Sequence, residues 1–121
     1  MIDIETLLAW GGTYKKVTAG EVIFMEGSNC TFYHQLVEGK IRWVNINEEG
    51  KEFIQTFVEP GECFGEFPLF DDEPYAAGAI ADTDAVIIRL YKASFHQILK
   101  ENIRLHFEFS KMLTHRLRFK F

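Results

Sequence analysis

The 121-residue sequence predicts a mainly β protein, an antiparallel sandwich or barrel with helices at its two ends. Between Tyr14 and Leu90, short apolar or alternating runs recur with turn residues between them. From Tyr91 onward glycine and proline vanish and apolar residues return at helical spacing. The length fits one domain, and a 47% hydrophobic composition with twelve Phe supplies an aromatic-rich core rather than a lipid pocket.

The first element is a short helix from Asp3 to Trp10, with Asp3 as its cap and Gly11-Gly12 as its stop. Strands are expected over Tyr14–Val17, Val22–Met25, Phe32–Val37, Ile41–Ile46, Phe53–Val58, Ala76–Ala81 and Ala85–Leu90. Their separators include Ala19-Gly20-Glu21, Glu26-Gly27-Ser28, Glu38-Gly39-Lys40, Asn47-Glu48-Glu49-Gly50 and Asp82-Thr83-Asp84. Ser94–Leu99 reads as one helix and Asn102–Phe121 as a longer one. Leu105, Phe109, Met112, Leu113 and Leu117 form its apolar stripe. That stripe either covers the β-structure or forms a seam with a second copy. Arg116 interrupts a strict heptad. The expected division is 1–12 N-terminal helix, 13–90 β-structure and 91–121 helices, all one domain over 1–121.

Composition narrows the function classes. No apolar run approaches a membrane span, and the start lacks the features of a signal peptide, so the expected setting is cytoplasmic with no membrane partner. A net charge of -5 suits phosphate-backbone binding poorly. Cys30 and Cys63 form no CxxC pair and read as small buried residues. His34 reads as a hydrogen-bonded core histidine. His96, His106 and His115 fall in helices without metal-ligand spacing, so neither a metal nor a cofactor is expected. A cupin-type metal enzyme would need a His-rich triad that is missing, and the chain is not expected to be an enzyme. The cations after Glu108 read as a solvated helix end.

The most informative stretch runs from Pro60 to Ala77. A turn leads into a short strand, Gly65 allows a tight backbone path, and a short helix begins near Phe67 with its N–H groups facing Gly65-Glu66. With Ala19-Gly20-Glu21, Glu26-Gly27, Gly39-Lys40-Ile41-Arg42, Gly50-Lys51-Glu52, Pro60-Gly61-Glu62 and Phe64-Gly65-Glu66 in this order, the chain resembles the cyclic nucleotide-binding domain of Crp/Fnr-type transcription regulators. The resemblance spans roughly residues 17–117.

The resemblance implies an antiparallel double-stranded β-helix, or jelly roll, with a long C-terminal dimerisation helix. It implies a small-molecule effector held by Gly65, Glu66, Phe67, Leu69, Tyr75 and Ala76. It further implies a homodimer through Leu105, Phe109, Met112, Leu113 and Leu117. DNA contact would come only from a C-terminal helix-turn-helix domain that this chain lacks. The adenine-contacting positions would fall near Lys120 and Phe121.

One departure stands out. Nine residues after Glu66, where the family places an arginine on the cyclic phosphate, the chain has Tyr75, followed by Ala76. A phenol carries no charge at neutral pH and makes no bidentate fork. Six acidic residues and no basic one lie between Glu59 and Tyr75. Cyclic AMP is therefore not the expected ligand unless Arg42 or Arg89 reaches the pocket. The alternative reading is a stand-alone ligand-binding or protein-docking module.

Overall fold

The computed structural model describes residues 2–121. A short helix, α1 (Ile4–Ala9), is capped by Asp3, whose side chain accepts from the Thr6 N–H, and Gly11 closes it at φ +96°. Eight strands follow: β1 (Thr13–Val17), β2 (Val22–Phe24), β3 (Phe32–Glu38), β4 (Ile41–Ile46), β5 (Glu52–Val58), β6 (Cys63–Phe64), β7 (Gly78–Ala81) and β8 (Ala85–Tyr91). A five-residue helix, α2 (Phe67–Asp71), sits between β6 and β7, and α3 (Lys92–Glu101) and α4 (Ile103–Arg118) end the chain.

The strands form two antiparallel four-stranded sheets, ordered β1-β8-β3-β6 and β2-β7-β4-β5. This is the jelly roll that the glycine turns imply. Within the first sheet β1 at the edge is mostly exposed, whereas β3 and β8 are buried on both faces, and β8 shows how. Ile87 points between the sheets to join Leu36, Ile41, Phe64, Ala79 and Ala81. Ile88 and Leu90 point the other way and meet Leu7, Tyr33, Phe95 and Phe109 under the helices. In that second core Tyr33 stacks on Phe95 at 4.9 Å, and Phe109 meets Phe95 edge-on at 5.2 Å.

The helices correct part of the expected dimer surface. Leu105 and Phe109 are buried in the chain's own core, and Met112 packs against it. They cover the sheet, because the roll would otherwise leave Tyr33, Leu90 and Phe95 in water. Leu113 is half-buried and Leu117 is exposed. The outer face of α4 and the turn after it carry a different row: Ile103, Phe107, Ser110, Thr114, Leu117 and Phe121, spaced 4-3-4-3-4. Asn102 breaks α3 from α4 with extended backbone and caps α4 by accepting from the Leu105 N–H at 3.1 Å.

Candidate functional site

The segment from β6 through α2 to β7 lies where the sequence placed the cassette. Gly65 has φ +65°, and a Cβ there would come within 2.4 Å of the Phe24 ring and 3.0 Å of Tyr75. The next residue, Glu66, is the N-cap of α2 but makes no capping hydrogen bond. Its carboxylate is 1% exposed and turns inward, where it pairs with the guanidinium of Arg116. Arg116 also donates to the Cys63 carbonyl at 3.0 Å and lies 5.1 Å over the Trp43 ring. The last helix thus reaches back and closes on the cassette.

The electrostatics follow from burial. Desolvation pushes the Glu66 carboxyl above its usual range, and the Arg116 charge opposes that push. Glu66 Oε2 and the Trp43 indole N–H are buried without hydrogen-bond partners, an acceptor and a donor held at one corner. Between Trp43, Gly65, Phe67 and Tyr75 the free space is about 30 Å³, room for a water or two. Burial, then Glu66, pushes the neighbouring Cys63 thiol up to about 12, which keeps it protonated at neutral pH.

Of the six residues assigned to ligand contact, Gly65, Phe67, Tyr75 and Ala76 line this cavity, and Glu66 stands beside it. Leu69 does not belong there. It is buried in the core beneath the helices, and its carbonyl accepts from His96 at 2.6 Å. Tyr75 contributes a ring wall, stacked on Phe24 at 3.7 Å, with its hydroxyl turned to the Cys30 thiol. Ala76 uses its carbonyl to accept from the Asn45 side chain at 3.0 Å.

Neither Arg42 nor Arg89 substitutes for the missing arginine. Arg42 is held by Glu52 at 2.9 Å and Asp82 at 3.4 Å, and Arg89 lies 4.6 Å over the Phe32 ring. His34 is buried as expected, but its Nδ1 has no hydrogen-bond partner, which corrects the reading of a satisfied core histidine. Lys120 and Phe121 lie in the exposed turn that follows α4.

The residue missed from the sequence is Arg116. The signal was its phase: Leu105, Phe109, Met112 and Arg116 are spaced 4-3-4, so the buried stripe of α4 continues onto the guanidinium.

Fold and site together define a β-roll whose glycine–glutamate cassette is covered by a C-terminal helix. A family model for the cyclic nucleotide-binding domain matches residues 14–102, and the chain belongs to that family. It is 26% identical over 99 residues to the "Cyclic AMP receptor protein" of Thermus thermophilus, covering 82% of this chain and 46% of that protein. The catabolite activator protein structure from the same organism superimposes with a TM-score of 0.84 at 23% identity, covering 95% of this chain and 54% of that one. A transcriptional regulator from Thermotoga maritima gives 0.86 at 21% identity, covering 97% and 91%. The chain spans about half or less of the length of the curated relatives it matches.

Proposed function

We propose that this chain is the effector-sensing domain of a Crp/Fnr-type transcription regulator, without catalytic activity, in which the cassette reports to the last helix through Arg116. The carrying observation is the buried Glu66–Arg116 pair beneath Trp43. A cavity of about 30 Å³ is far below the several hundred Å³ of a small-molecule pocket. An effector seated in the cassette must therefore displace Arg116 and with it α4. Binding then selects a second position of the helix, which is what a sensor needs.

The free Glu66 oxygen and the Trp43 N–H suit a neutral or cationic molecule that brings a hydroxyl donor and an acceptor. Cyclic AMP fits poorly, since Tyr75 offers no charge to a phosphate and its ring already stacks on Phe24. The experiment is a fluorescence titration of Trp43 in a Trp10→Phe background. Arg116→Met shifts the emission, whereas cyclic AMP up to about 1 mM leaves it unchanged. A saturable response to micromolar cyclic AMP refutes this assignment of the cassette.

The relay also requires a homodimer through α4. Phe107 is 69% and Leu117 60% exposed, and with Ile103 and Phe121 they give the two-helix seam that Leu105 and Phe109 do not. Leu117→Glu converts a dimer to a monomer in sedimentation while thermal stability at fixed low concentration changes little. DNA contact is assigned to chain beyond this domain, in keeping with the greater length of the relatives.

A further inference from the structure

A second cavity, of about 190 Å³, lies between the two sheets and shares only Tyr75 with the lining of the cassette cavity. Three neighbouring strands place cationic or polar side chains around it. Arg89 on β8 stands directly opposite His34 on β3. Lys15 on β1 pairs with Ile87, two residues from Arg89 on the same face of β8. Phe24 and Phe32 supply apolar walls, and no carboxylate lines the cavity among the described residues.

The polar groups are left incomplete. His34 is 4% exposed, with rings of Phe24, Phe32 and Phe64 packed around it, and its Nδ1 has no partner. Arg89 Nε is likewise buried and unpartnered. Burial first, then the charges of Arg89 and Lys15, lower the His34 pKa to about 3, so the imidazole is neutral at pH 7 and can present one N–H without a third positive charge. Arg89 has no carboxylate partner among the described residues, and Lys15 has only a long, partly exposed contact with Glu21 at 3.9 Å, so the cavity carries positive charge that its own lining does not answer.

We infer that this inter-sheet cavity is a binding site for a small oxyanion, a carboxylate or phosphate group held by Arg89 and Lys15 with the His34 Nδ1–H as donor. The bound group satisfies both orphaned nitrogens, and the aromatic walls accept a short apolar body beside it. The site is independent of Glu66 and Arg116, so it stands or falls separately from the reading of the cassette.

The test follows the imidazole of His34 by NMR in the intact chain at pH 7, titrated with acetate, inorganic phosphate and chloride at matched ionic strength. Saturable shifts with acetate or phosphate, absent with chloride, are expected, and the better of the two identifies the anionic group. Arg89→Met weakens binding about tenfold or more, as loss of a charge-assisted contact requires. Lys15, at the mouth with a side chain 45% exposed, can be replaced without disturbing the core, and Lys15→Met weakens binding several-fold. Shifts that rise alike and without saturation in all three salts overturn the inference. So does unchanged affinity in Lys15→Met.

Discussion

Two interior corners of this roll hold charge in opposite ways. At the cassette a buried acid, Glu66, has a base brought to it by α4, and the space that remains is about 30 Å³. Between the sheets two bases flank a neutral imidazole, no acid lines the space (Lys15 reaches Glu21 outside it at 3.9 Å), and about 190 Å³ stays open. The chain fills the cassette with its own helix, whereas the inter-sheet corner has donors without acceptors. A family resemblance directs attention to the first corner. Unpartnered buried polar atoms lie equally at the second, His34 Nδ1 and Arg89 Nε.

The wall between the corners is the Phe24–Tyr75 stack against Gly65, and breaking it has the largest expected effect. Gly65→Ala adds a Cβ at 2.4 Å from the Phe24 ring at a residue with φ +65°. The left-handed backbone costs about 1–2 kcal/mol, and the overlap costs about 1–3 more. Urea unfolding should show a loss of about 3 kcal/mol. A loss below about 1 kcal/mol would mean that the wall yields and the corners are not separate.

Arg116→Met comes next. It leaves Glu66 buried without its partner, at a cost of about 2 kcal/mol, because a carboxyl whose pKa is already raised can take up a proton. Glu66→Gln in the same chain removes the orphaned charge and recovers about half. If the double variant is no more stable than Arg116→Met alone, the pair does not couple cassette to helix.

The roll was legible in the sequence because each of the five connections from β1 to β6 carries a glycine that the backbone requires. Gly20, Gly27, Gly39, Gly50 and Gly61 all have φ between +82° and +93°. The cassette was legible as a place, through Gly65-Glu66. Its content was not, because a charge 50 residues away completes it. The stripe on α4 is legible as periodicity, and its direction is not. Periodicity says that Leu105 and Phe109 share a face, not whether that face meets a sheet or another helix. Leu69 failed for the same reason within α2, where one turn carries residues toward both the cassette and the core. The inter-sheet cavity had no local signature, since Lys15, His34 and Arg89 become neighbours only through β1-β8-β3 pairing.

A pH titration of stability probes the second corner. His34 titrates near 3 in the fold and near 6.5 in the unfolded chain, so the unfolded state takes up the proton first as pH falls. The stability contributed by the neutral, buried ring is full above about pH 6.5 and is lost progressively down to about pH 3. Between pH 6.5 and 5 the loss is about 1.5 kcal/mol. His34→Leu should flatten that part of the profile. An unchanged slope would show that the imidazole already charges in the fold.

The smallest expected effect separates the corners most sharply. Lys15 and Glu21 are 3.9 Å apart and partly exposed, so Lys15→Met should change stability by no more than about 0.5 kcal/mol. It should still raise the His34 pKa, because a like charge beside the imidazole is gone. Arg89→Met should raise it further, Arg89 being the stronger of the two influences. Arg116→Met, which acts on Glu66 and not on this ring, should leave it where it is. A His34 titration that moves with Arg116 and ignores Lys15 would mean that the two corners share one electrostatic field, and the contrast between a corner closed by its own helix and one left open would fail.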